Sequence, residues 1–193
     1  YERLPSKGEF RSKHGIPEEK KIILFLGRIH RIKGIDLLIE AFSKVCKEMA
    51  DVILVVVGPD NGHLEKLQKQ TLQLGIAERV IFTGPIYSQE KLSAYVDSDV
   101  YVLPSLYEAF PNTVLEAWAC GTPVIVTESC ALSTAVREAG IVVKRDSNQL
   151  AEGIKRILLD DASSKECCRK GRALINNVFS LESVTAKIED CYH

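Results

Sequence analysis

Short apolar runs of strand length alternate along the chain with longer stretches in which apolar residues recur at helical spacing. The short runs are IILFLG from Ile22, VILVVVG from Val52, RVIFTG from Arg79, VYVLPS from Val100, PVIVT from Pro123 and IVVK from Ile141. Each is rich in β-branched residues, and their alternation with helices is the mark of a parallel sheet covered on both faces. Between the first two runs, Ile35, Leu38, Ile39, Phe42, Val45 and Cys46 form one apolar helix stripe. Leu64, Leu67, Thr71 and Leu74 predict a second helix closed by a left-handed Gly75, and Leu92, Tyr95 and Val96 a third. Ser147 is expected to cap a helix carrying Leu150, Ile154, Ile157 and Leu158, and Ser180 another carrying Leu181, Val184, Ile188 and Cys191.

Six strands in β-α alternation predict an α/β, Rossmann-like, doubly wound six-stranded parallel sheet in the order 3-2-1-4-5-6. In that order the winding reverses between strands 1 and 4, so a ligand crevice opens at their carboxyl ends. Two loops lie there: GRIHRIKG after strand 1 and SLYEAFPNT after strand 4. The first is neither a dinucleotide fingerprint nor a Walker A loop, because Gly27 and Gly34 have the wrong spacing for both. It offers Gly27 at the strand end, then the cations Arg28, Arg31 and Lys33. Solvated loop charges are the plain alternative, but the switch-point position favours a diphosphate held by the Arg28 fork and the mobile Lys33 ammonium. Arg31 stays with the solvated reading, and no partner in the sequence gives His30 a role.

The second loop leads into a helix expected to start near Asn112 or Thr113, with unpaired N–H groups facing the crevice. Thr113-Val-Leu-Glu116 matches a capping box, and on local sequence alone capping is the favoured role for Glu116. Glu108 lies too far before the helix to cap it. Carboxylates beside a diphosphate are tolerable where they accept hydrogen bonds from hydroxyls, so the pair suggests a nucleoside diphosphate sugar.

Charge and composition narrow the remaining classes. With 25 basic against 26 acidic residues, the chain lacks a polycationic face for nucleic acid. No apolar run approaches the roughly 20 residues of a membrane-spanning helix. The opening YERLPSKGEFRSKHGIPEEKK lacks the apolar core of a secretory signal and reads as a linker and short lead-in helix. The six cysteines show no Cys-x-x-Cys pair and no histidine at ligand spacing, so no metal site is expected. Cys46, Cys120 and Cys191 read as small buried hydrophobes, and reduced thiols imply a cytoplasmic setting.

On GRIHRIKG, RVIFTGPI, the EAFPNTVLE glutamate pair and the following ACGTPVIVT, the chain resembles the C-terminal, donor-binding domain of a family 4 glycosyltransferase of GT-B fold (glycosyl transferases group 1). The resemblance is collinear over about residues 20 to 193. It implies a lead-in over residues 1–19 after an interdomain linker, a donor domain over 20–193 with C-terminal helices, and an acceptor-binding N-terminal domain missing here. It further implies that Arg28 and Lys33 meet the donor diphosphate, that Glu116 accepts ribose hydroxyls, and that Glu108 meets the sugar and supports charge at the anomeric carbon. Backbone amides from Ala109 through Phe110 and Asn112 to Thr113 would hold sugar and phosphate, and Gly84, Pro85 and Ile86 would border the base. Such enzymes are generally retaining and need no tightly bound cofactor or metal.

Expected partners are therefore a UDP-, GDP- or ADP-sugar and the missing acceptor domain, with no nucleic acid. The acceptor is open among glycan, lipid and small molecule, and peripheral membrane contact could come through the missing domain. The isolated chain should bind donor without transferring it. The sequence departs from the pattern after PVIVT, where many relatives carry Gly-Gly or Cys-Gly and this chain has Cys130-Ala131, so no ligand contact is expected there. A nucleotide-sugar epimerase and a non-catalytic nucleotide-binding module are the rival readings.

Overall fold

A computed structural model describes residues 4–179. In chain order it contains α1 (Glu9–His14), β1 (Lys21–Leu26), α2 (Ile35–Glu48), β2 (Val52–Val57), α3 (Leu64–Gln73), β3 (Val80–Gly84) and α4 (Ser88–Val96). There follow β4 (Val100–Leu103), α5 (Asn112–Cys120), β5 (Val124–Thr127), α6 (Ser133–Ala139), β6 (Ile141–Val143), α7 (Ser147–Leu159) and α8 (Asp161–Asn177). Single 3-10 turns span Arg31–Lys33 and Ala77–Arg79.

All six strands are parallel and form one sheet in the order β3-β2-β1-β4-β5-β6, as the alternation predicts. β1 is the hinge of the winding. It pairs with β2 along its whole length, Lys21 to Leu26 against Val52 to Val57, and with β4 through Ile23 to Val100 and Leu24 to Tyr101. Helices cover both faces: α2 packs with α3 and α7, while α4 packs with α5 and α1. Burial on both faces explains the continuous apolar strands, since Ile22, Ile23, Leu24 and Phe25 are fully buried together.

Several local expectations change. Ser147 does not cap α7; Asp146, one residue earlier, accepts from the amides of Asn148 at 3.0 Å and Gln149 at 2.9 Å. The Ser147 hydroxyl instead donates to Glu40 and accepts from Lys44, each at 2.6 Å, tying α7 to α2. Leu74 is exposed, because α3 ends before it and Gly75 turns the chain away in a left-handed conformation. Cys46 is half-buried where full burial is expected, and Cys120 is buried. Two helices not anticipated from the pattern, α6 and α8, flank β5, β6 and α5. The helix expected from Ser180, with Cys191, lies outside the described residues.

The lead-in helix α1 is tied into the body. Phe10 is buried, and the Asp97 carboxylate accepts from the amides of Gly8 at 2.5 Å and Arg11 at 3.0 Å, satisfying donors at the helix start.

Candidate functional site

The chain leaves β1 still laddered to the chain leaving β2. Gly27 N donates to Val57 O, Ile29 N to Pro59 O, and Asn61 N to Ile29 O, with Ile29 buried beneath. This approach needs a residue without a side chain at Gly58, where a Cβ would stand 1.8 Å from the Gly27 carbonyl oxygen. Arg28 rides on this anchored segment, exposed and with no side-chain partner among the described residues. His30, left without a role by the sequence, caps the Arg31–Lys33 turn: its Nδ1 accepts from Ile32 N at 3.2 Å. Arg31 is exposed, in keeping with a solvated charge.

The turn delivers Lys33 to the loop after β4. Gly34 has φ of 67°, and a Cβ there would meet the Pro104 carbonyl oxygen at 2.1 Å, so only glycine lets the two loops close. Leu106 N donates to Ile32 O at 2.8 Å across the same junction. Lys33 Nζ then lies 2.5 Å from Glu108 Oε2, with the two side chains only 17% and 14% exposed. The Ser105 hydroxyl donates weakly to the same oxygen at 3.4 Å.

Glu108 is fixed from the other side by the loop after β5, on which the sequence places no role. Its amide donates to Ser129 O at 3.4 Å and its carbonyl accepts from Ala131 N at 2.9 Å, opposite the buried Cys130. Only the position of that loop after a neighbouring strand could have signalled this.

Ala109, Phe110 and Asn112 are exposed beside the start of α5. The Asn112 amide donates to Phe110 O at 3.1 Å, which removes it from the expected set of ligand donors. The amides of Ala109, Phe110 and Thr113 have no partner among the described residues. Three donors therefore remain at the positive end of the helix.

The capping box does not form. Pro111 occupies the cap position, so Thr113 is already inside the helix, and its Oγ1 accepts from the Tyr101 hydroxyl at 2.7 Å. Glu116 turns to α4 instead: Oε1 lies 2.6 Å from Lys91 Nζ and Oε2 accepts from the Tyr95 hydroxyl at 3.1 Å. Tertiary donors, one of them charged, outcompete a backbone amide of its own helix. Tyr95 and Tyr101 stack edge to face at 5.5 Å, and burial pushes both phenols well above their ordinary range, so both stay protonated. Lys91, Tyr95 and Tyr101 are absent from the set read off the sequence, because nothing local links them to Glu116.

Gly84, Pro85 and Ile86 lie at the carboxyl end of the edge strand β3. Gly84 O accepts from Gly58 N at 3.0 Å, which joins them to the same end of the sheet, though none touches Lys33, Glu108 or Glu116 through a hydrogen bond. Among the described residues no group of three His, Cys, Asp or Glu side chains could hold a metal ion, and no helix is long and apolar enough to cross a membrane.

A doubly wound sheet with cations, carboxylates and free amides gathered at its switch point defines an α/β domain with a candidate ligand crevice, and its strand order is that of one half of the GT-B fold. Residues 6–174 match the family described as glycosyl transferases group 1, and the chain belongs to that family. It is 30% identical over 190 residues to an uncharacterised glycosyltransferase of Methanocaldococcus jannaschii, covering 96% of this chain and 48% of that protein. It is 35% identical over 156 residues to a D-inositol 3-phosphate glycosyltransferase of Corynebacterium jeikeium, covering 76% of this chain and 37% of that one. The C-terminal domain of a group 1 glycosyl transferase from Francisella tularensis, solved on its own, superposes with a TM-score of 0.81 at 26% identity, covering 92% of this chain and 96% of that domain. The chain thus spans about half or less of the length of these curated relatives.

Proposed function

We propose that this chain is the donor-binding half of a retaining glycosyltransferase that takes a sugar from a nucleoside diphosphate sugar. The observation that carries the reading is the junction of Lys33 with Glu108 at the carboxyl ends of β1 and β4, beside the unpartnered Arg28 and three free amides.

As the bond to the anomeric carbon breaks, negative charge gathers on the departing diphosphate. Donors already in place stabilise it without reorganisation, and loss of one costs on the order of a hundredfold in rate. Arg28, Lys33 and the amides of Ala109, Phe110 and Thr113 are those donors. Lys33 is paired with Glu108. Donor binding exchanges partners: Lys33 swings on its flexible stem to a phosphate oxygen, and Glu108 accepts sugar hydroxyls in its place. Glu116, held from α4, accepts the ribose hydroxyls, and the segment Gly84 to Ile86 borders the base. No step calls for a bound cofactor.

The acceptor and the domain that binds it belong to the rest of a longer protein, so the chain alone binds donor and does not transfer. A cytoplasmic setting belongs to the same proposal, and the unpaired thiols of Cys46, Cys120, Cys130, Cys167 and Cys168 support it. Calorimetric titration of the chain with UDP-, GDP- and ADP-sugars tests the reading. Saturable binding of one of them, lost in Lys33→Ala, supports it; heats of dilution alone across the panel would sink it.

A further inference from the structure

Glu116 is a carboxylate of α5 whose two oxygens are both engaged by α4, Oε1 by Lys91 and Oε2 by Tyr95. Lys91 and Tyr95 are four residues apart and so present one face of that helix to it. The pair is shielded: the Lys91 and Glu116 side chains are 29% and 16% exposed. Lys91 is not shared with its sequence neighbour, because Glu90 is engaged by Lys13 at 2.7 Å and His14 at 3.2 Å. Tyr95 is fully buried, so the α4 side of the clamp is rigid.

The crevice therefore has two carboxylates, each with its own lysine: Lys33 on Glu108 and Lys91 on Glu116. The two lysines differ in what surrounds them. Lys33 lies on the crevice loop among donors for a phosphate, whereas Lys91 approaches from a flanking helix. A diphosphate brings about two negative charges, and an uncompensated carboxylate within about 6 Å opposes them.

We infer that Lys91 is a positioning residue for the nucleotide: it fixes Glu116 in the orientation that ribose hydroxyls meet and offsets its charge so that a diphosphate can bind nearby. This rests on the donor-binding reading above. Lys91 needs no contact with the ligand and acts through Glu116, which separates its role from that of Lys33.

The test is calorimetry on this chain with the nucleoside diphosphate that the donor panel identifies, and with the corresponding nucleoside. Lys91→Met should weaken the diphosphate about tenfold and the nucleoside less, because only the former carries the opposing charge. Lys91→Arg should restore most of the affinity. Lys91→Gln, which keeps a hydrogen bond and lacks the charge, should behave as Met does, and it serves where Met disturbs folding. In a Glu116→Gln background, Lys91→Met should have no further effect, since the charge it offsets is gone. Full diphosphate affinity in both Lys91→Met and Lys91→Gln, or undiminished losses from Lys91→Met in the Glu116→Gln background, would overturn the inference while leaving the donor reading standing. Absence of nucleotide binding by the unaltered chain would overturn both.

Discussion

Lys33 and Glu108 are 75 residues apart in the chain, yet their side chains meet at 2.5 Å where the winding of the sheet reverses. Each is shielded from solvent, so removing one leaves the other poorly compensated. Lys33→Ala should therefore lower stability by about 1–3 kcal/mol as well as weakening nucleotide binding. Adding Glu108→Gln should recover part of the stability and none of the binding. Urea denaturation of the two variants checks this, and a stability for Lys33→Ala equal to that of the unaltered chain would show that the pair is not formed in solution.

The junction depends on one backbone position. Gly34 adopts a left-handed conformation with the Pro104 carbonyl oxygen where a Cβ would stand. Gly34→Ala combines an unfavourable φ with overpacking against main chain, a cost of about 2–4 kcal/mol. The two loops must separate, so Lys33 loses Glu108. A drop in thermal midpoint with weakened nucleotide binding is expected, and an unchanged midpoint would contradict the close approach.

The sheet was legible in the sequence because burial on both faces forces continuous apolar strands, such as IILFLG and VILVVVG, that no surface helix would carry. Once the order followed, the switch point named the loops holding Lys33 and Glu108. Helix α8 was illegible for a physical reason. Its sequence DASSKECCRKGRALINN is mostly polar and buries only Gly171, whose missing side chain makes room for Trp118. Glu116 misled for a different reason: its local spacing fits a capping box, but the buried Tyr95 and the Lys91 ammonium reach it first. Such partners are set by the packing of α4 on α5, which no local pattern encodes.

Arg11 staples the lead-in helix to the opposite end of the sheet. Its guanidinium donates to Pro17 O at 3.0 Å, Lys20 O at 2.6 Å and Asp97 O at 3.1 Å, and pairs with Asp99 at 3.3 Å. Arg11→Ala removes a donor from three carbonyls and from Asp99, of which Pro17 O keeps the Lys20 amide and Asp99 the Ile22 amide, and should cost about 1–3 kcal/mol in urea denaturation. The amino ends of β1 and β4 are far from the crevice at their carboxyl ends, so donor affinity should stay within about twofold. Loss of affinity without loss of stability would reverse this assignment.

Burial of thiols gives the chain an alkaline limit. Burial, reinforced by the Glu116 carboxylate, pushes Cys120 up to about 11, and burial also raises Cys46, Cys130, Cys167 and Cys168. In the unfolded chain these thiols ionise near the ordinary value of about 8.5. Between the two values the unfolded state loses protons that the folded state retains, so stability falls as pH rises. The contribution of Cys120 is fully present below the ordinary thiol range and lost as pH passes about 11. Cys120→Ser replaces the thiol with a group that does not titrate there, so its stability should decline less steeply across this window. The buried Cys120 and Cys130 should also resist iodoacetamide near pH 8 in the native chain and react in the denatured one, because the thiolate is the nucleophile. Rapid alkylation of Cys120 in the folded chain, or equal pH slopes for the two proteins, would show that the thiol is not shielded as its burial at the last position of α5 requires.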